Sequence, residues 1–175
     1  RNLAAHCGLP EAPRPGKAVR GASAALLRVH PQRLWLAAEK GGAQDHPRLS
    51  AEMGAALDLS HARTIIHIDE GIAVPRLSRF IAIDLRPDRF AVDDVALTPF
   101  HRVSVVLWRR ADGIDILAPR SFARSIWEGM VGESGKVQDR GTIVAADENP
   151  GQRRSLPVVA CSADSSAGCS YFSTL

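Results

Sequence analysis

The chain has 175 residues, 45% of them hydrophobic and 23% charged, with 22 basic against 19 acidic side chains for a net charge of +3. That length suits one domain burying its own core, and the composition is that of a globular chain rather than a disordered or fibrous one. No apolar run approaches the roughly 20 residues a spanning helix needs, and the opening RNLAAHCGLPEAPRPG is too polar and proline-rich for a secretory signal, so a cytoplasmic protein without membrane association is expected.

Along residues 1–22, Pro10, Pro13 and Pro15 with Gly8, Gly16 and Gly21 interrupt any periodic element, and a flexible lead-in is expected. Ala24 to His30 and Arg33 to Ala38 are apolar runs separated by a Pro31-Gln32 break, which predicts a hairpin with Trp35 in its core. Gly41-Gly42 marks a loop. Pro47 then opens a helix that Leu49, Met53 and Leu57 carry to residue 57. Ser60 to Ile68 alternates, with Thr64, Ile66 and Ile68 on one side and Arg63, Ile65 and His67 on the other, as a strand does. Asp69-Glu70-Gly71 reads as a turn, followed by a short helix with Pro75 in its first turn and Val74, Leu77, Phe80 and Ile81 on its buried face. Ile83 to Pro87 ends it, and Phe90 pins the following loop to the core.

The longest patterned stretch runs from Ala96 to Val131. Val103, Val105 and Leu107 alternate with Ser104, Val106 and Trp108, the period of a strand with one better-buried face. Asp112-Gly113 permits a tight reversal through positive φ, and Ile114, Ile116 and Leu117 resume the apolar run, giving a hairpin. Pro119 and Ser121 stop that strand and start a helix whose stripe is Phe122, Ile126 and Met130, with Trp127 on its flank. After residue 132 the chain turns polar. Thr142 to Ala145 and Leu156 to Cys161 are expected as short strands or docking strips in a polar tail. The fold class is α+β, a small, mostly antiparallel sheet packed by about three helices. The expected partition is a lead-in at 1–22, an α+β domain at 23–132 and the tail at 133–175.

Motifs that would carry chemistry are missing. There is no G-x-G-x-x-G, G-x-S-x-G or H-E-x-x-H, and Gly132 to Lys136 has neither the spacing nor the hydroxyl of a phosphate-binding loop. The acid pairs Asp69-Glu70 and Asp93-Asp94 stand in turn-like contexts, where carboxylates cap and solvate. His61 and His67, six residues apart along a strand, would be separated by about 20 Å, too far for one metal ion. Cys7, Cys161 and Cys169 are odd in number and lie near the two ends, without a C-x-x-C pair, which argues against a disulfide framework or a zinc site. The basic residues are scattered among acids rather than gathered in a stripe, so a nucleic-acid adaptor rests only on a pI near 9.1. The residues alone therefore predict no catalytic, cofactor-binding or metal-binding side chain.

Three segments resemble the gamma subunit of heterotetrameric sarcosine oxidase: IDLRPDRF at 83–90, ALTPFHRVSVVLWRR at 96–110 and GIDILAPRSFARSIWEGM at 113–130. Upstream, RLWLAA at 33–38 and DLSHARTIIHI at 58–68 are similar to the same family, so the resemblance spans residues 24–131. It implies a domain akin to the aminomethyltransferase and YgfZ-like folate-binding fold, acting as a non-catalytic small subunit. It further implies partnership with alpha and beta subunits, with a small delta subunit as a further candidate. Those other subunits would hold FAD, FMN, NAD and tetrahydrofolate for oxidation of sarcosine or a related N-methyl amine, leaving no cofactor in this chain. Under that implication Trp108, Arg120, Phe122, Arg124 and Trp127 are the candidate partner interface. Aromatics serve both cores and interface anchors, and two arginines at a helix start oppose its dipole. The alternative is a stand-alone folate-binding or one-carbon transfer protein of the aminomethyltransferase superfamily.

Overall fold

The structure, a computed structural model, describes residues 4, 9–22, 24–38, 55–132, 143–145 and 158–162. Among them ten strands make two five-stranded antiparallel sheets, where the sequence suggests one small sheet. The first sheet holds β1 (Ala18–Arg20), β2 (Ala24–His30), β3 (Arg33–Ala38), β4 (Ala55–Asp58) and β10 (Val158–Ser162), in the order β1-β2-β3-β10-β4. The second holds β5 (Arg63–Asp69), β6 (Val95–Phe100), β7 (Val103–Arg109), β8 (Gly113–Pro119) and β9 (Ile143–Ala145), in the order β6-β7-β8-β5-β9. The described helices are two rather than three: α1 (Glu70–Leu77), and α2 (Ala123–Gly132), which a 3-10 turn at Arg120–Phe122 leads into.

Alternation in β7 explains the layering. Val105 and Leu107 face one way, joining Ile66, Ile68, Ile114 and Ile116 under α1 and α2, where Leu77, Ile126 and Met130 complete the cluster. Val106 and Trp108 face the other way, packing with Ile65 and Leu117 against Ala25, Leu27 and Trp35 of the first sheet. Both faces of the second sheet are thus buried, one by helices and one by a sheet, so the expected better-buried face has an equal on the opposite side. A third cluster, centred on the Leu26 and Leu36 cross-strand pair with Ala4 and Leu9, covers the outer face of the first sheet.

The two sheets are fastened where β1 meets β6. Ala18 donates to the Asp93 carbonyl at 2.8 Å, and Val95 donates to the Gly16 carbonyl at 2.9 Å. Gly16 takes φ +75°, a left-handed conformation natural to glycine. The acid pair locks this seam: the Asp93 carboxylate accepts from Arg20 Nε at 2.6 Å, and that of Asp94 accepts the Ala91 amide and pairs with Lys17. A strand therefore forms within the stretch whose prolines and glycines suggest a lead-in: it pairs with β2 nearby, and its Lys17 and Arg20 side chains bind aspartates some 70 positions away in sequence.

Three further expectations are corrected or relocated. Residues 39–54, where most of the helix expected at 47–57 falls, lie outside the described set, and Ala55–Asp58 is a strand with Leu57 exposed. Helix α1 opens at Glu70, not at Pro75, which sits inside it. The Glu70 amide donates to the Asp112 carbonyl at 3.0 Å and its carboxylate accepts from Arg109, so tertiary partners fix the start. Proline then removes one helical hydrogen bond, and the helix ends two residues later. Phe122 leaves the buried stripe, which passes instead through Ile126 and Met130. The two tail strips expected as short strands or docking strips are strands at 143–145 and 158–162, and β10 stands between β3 and β4.

Candidate functional site

Two places on this scaffold concentrate chemistry. The first is polar and lies at the end of the sheet interface. Residues directly opposite one another on adjacent strands share a face, and the registers Trp108↔Asp115 and Asp115↔His67 set these three side chains in a row. Asp115 is 1% exposed, and a carboxylate that deeply buried requires partners. One of its oxygens lies 2.6 Å from His67 Nδ1, and the other accepts from the Arg110 guanidinium at 3.3 Å. His67 Nε2 lies 3.6 Å from the Asp69 carboxylate. The hydrogen bond to Asp115 holds the His67 pKa above its ordinary value of 6.5; burial opposes this, and the charges of Asp115 and Asp112 outvote that of Arg110.

Space for the imidazole comes from Gly113. A Cβ there would stand 2.1 Å from the Ile68 carbonyl oxygen and 2.9 Å from His67 Cε1, so the glycine is required by close approach of β5 and the histidine ring. Its φ is not positive, which replaces the turn-conformation reason expected from Asp112-Gly113. Beside this row, the guanidinium groups of Arg20 and Arg110 lie 5.5 and 5.4 Å from the Trp108 ring centroid. A histidine oriented by a buried carboxylate is the geometry of a general base. Here both ring nitrogens face carboxylates, and the arrangement is that of an ion-paired clasp joining β5 to β8.

The second place is the start of α2. The Arg120 amide donates to the Ala62 carbonyl at 3.0 Å, and the 3-10 turn turns Phe122 outward, leaving it 46% exposed. Arg124 and Glu128, one helical turn apart, are hydrogen-bonded at 2.7 Å. Of the five residues expected at a partner interface, Arg120, Phe122 and Arg124 are exposed around this turn, and Trp127 is half-buried against the helix-side core. Trp108 is not with them. It is 3% exposed and lies between the sheets.

On the opposite face of β7 from Trp108, Arg109 is 2% exposed; it donates to the Leu85 carbonyl at 3.1 Å and to Glu70 Oε1 at 2.5 Å. This holds the 83–90 loop, in which Leu85 and Phe90 are buried, and in which the Arg86 fork keeps the Asp84 carboxyl at about 2. Asp115, Arg110 and Arg109 were missed by sequence reasoning. Of the three, only Asp115 carries a signal in the sequence, a charge set between apolar neighbours in the Ile114-Asp115-Ile116 run. Among the described residues no group of three or more His, Cys, Asp or Glu side chains could hold a metal ion, and no helix is long and apolar enough to cross a membrane.

This is an α+β domain of two antiparallel sheets with helices on one side, a buried ion-paired clasp and an arginine-flanked aromatic at a helix start. No protein-family profile matches the chain, and no curated protein sequence matches it. Among solved structures it is similar to a chain of the heterotetrameric sarcosine oxidase from Corynebacterium sp. U-96 in complex with pyrrole 2-carboxylate. The TM-score is 0.61 at 25% identity, and the match covers 78% of this chain and 75% of that chain.

Proposed function

We propose that this chain is the gamma-type small subunit of a heterotetrameric, flavin- and tetrahydrofolate-dependent sarcosine oxidase or a related N-methyl amine oxidase. In this reading it is non-catalytic and cytoplasmic, adopts the aminomethyltransferase and YgfZ-like folate-binding fold, and supports assembly with the alpha and beta subunits. FAD, FMN, NAD and tetrahydrofolate belong to those other subunits, and neither nucleic acid nor membrane is a partner. The observation that carries the reading is the fold shared with a chain of such an oxidase. Nearly equal shares of both chains are covered, so the two are of similar length, which favours a small subunit over a large flavin-bearing one. The clasp adds support of a different kind, since its histidine is committed to carboxylates of its own fold.

Reconstitution tests this directly. The chain, purified alone, is mixed with the alpha and beta subunits and followed by size exclusion, with amine oxidation assayed in parallel. Co-elution and a gain in the yield of active complex are expected. If alpha and beta assemble and turn over normally while this chain elutes apart, the reading is wrong. Micromolar binding of reduced folate to the isolated chain, measured by calorimetry, would favour the stand-alone one-carbon alternative.

A further inference from the structure

The exposed large hydrophobic side chains among the described residues are Leu57, Val92, Leu97 and Phe122, and only the last is aromatic. Leu97 belongs to β6, where alternate amides point away from β7. Val95 uses its outward amide on Gly16, and Pro99 has none, so that edge offers a partner strand little to pair with. Leu57 and Val92 each stand between an alanine and an aspartate, single exposed aliphatics in an ordinary surface condition.

Phe122 is different in three respects. It projects from a rigid support: Ile126 and Met130 root α2 in the core, Arg76 donates to the Met130 carbonyl at its far end at 2.5 Å, and the Arg120 amide ties the near end to Ala62. A side chain already ordered before docking loses less freedom when it docks. Next, Arg120 and Arg124 bracket it. The helix start carries no acidic residue in its first turn, although the dipole there favours acids. That local disadvantage is relieved when carboxylates approach from outside. Last, Glu128 holds the Arg124 guanidinium by its Nε, a bond that fixes the direction of a side chain 87% exposed.

We infer that Phe122 is the central anchor of a docking surface on this chain, and that its occupant is another protein presenting an apolar pocket rimmed by carboxylates. Arg120 and Arg124 meet the rim, and the open flank of Trp127 widens the apolar contact. An aromatic anchor with arginine neighbours is the composition that concentrates binding energy at interfaces. The inference rests on the subunit reading and deepens it, assigning the occupant to the alpha and beta assembly.

The test titrates the purified full chain onto the alpha and beta assembly at several salt concentrations. Four forms are compared: wild type, Phe122→Ala, Arg120→Glu with Arg124→Glu, and Leu97→Ala as a surface control. The expected result is a dissociation constant raised about 30-fold or more by Phe122→Ala, the scale of an interface hot spot. The arginine double variant is expected to weaken binding comparably and to reverse its salt dependence, since screening then relieves repulsion. Leu97→Ala is expected to bind as wild type, and unchanged thermal melts of all four separate docking from folding. The double variant changes only exposed side chains, so it keeps the inference testable if Phe122→Ala melts early. Equal binding by wild type, Phe122→Ala and the double variant overturns this surface while leaving the subunit reading intact. A wild-type chain that does not bind the assembly overturns both. A wild-type dimer in light scattering that Phe122→Ala dissociates assigns the surface to self-association and also overturns the inference.

Discussion

At the scale of single residues, the clasp around Asp115 gives the clearest consequences. The folded-state pKa of His67 is raised above 6.5, so the imidazolium's contribution to stability is fully present below that pH and is lost as pH rises through the folded value. Urea denaturation across this range is expected to show falling stability in the wild type and a flatter profile in His67→Gln. NMR titration should find the His67 pKa moved back toward 6.5 in Asp115→Asn; an unmoved value would show that the hydrogen bond is not the cause. Gly113 makes a sharper demand. In Gly113→Ala the added methyl meets backbone at 2.1 Å, a contact no rotamer can relieve, and a loss of about 3 kcal/mol is expected in chemical denaturation. Asp-Gly is visible in the sequence, but its reason lies in β5, some 45 positions earlier in the chain, and turn propensity supplies a plausible wrong one.

Among elements, α1 shows how tertiary partners override local signals. Pro75 suggests a helix start, yet Glu70 begins the helix because Arg109 requires a carboxylate where β7 ends. Removing that carboxylate in Glu70→Ala leaves a guanidinium 2% exposed without its ion partner, and a cost of about 3 kcal/mol is expected. The cooperative melt of the variant, compared with a silent change such as Ser125→Ala on the exposed face of α2, measures it. Edge strand β6 offers a different experiment. Pro99 removes the amide that would point to solvent, and Pro99→Val restores it beside exposed Leu97. Increased light scattering during refolding is expected, with little change in the folded chain. The hairpins β2-β3 and β7-β8 stand as expected, because paired apolar segments and a short break specify them locally.

For the molecule as a whole, the sheets depend on segments distant in sequence. β10 pairs with β3 on one side and β4 on the other, so a chain ending at residue 155 loses an interior strand of the first sheet. Lower thermal stability and reduced strand content by circular dichroism are expected, and a melt identical to that of the full chain would contradict the pairing. The sequence marks two apolar strips after residue 132 as short strands or docking strips but does not place one inside a sheet, since each is too short to stand alone. Such strips become strands only when a sheet with an open edge supplies the partners.

The amino-acid order by itself determined the local elements whose pattern is complete within a dozen residues: the hairpins, the alternating faces of β5 and β7, and the Ile126 and Met130 stripe of α2. It also carried the family resemblance through contiguous segments. Only the tertiary structure decided that two sheets stack, that Asp115 is buried with His67 and Arg110, that Trp108 lies inside and that Phe122 lies outside. Those outcomes depend on which strand lies opposite which. That choice is made by burial and hydrogen bonding summed over residues far apart in the chain, a sum that no local window contains.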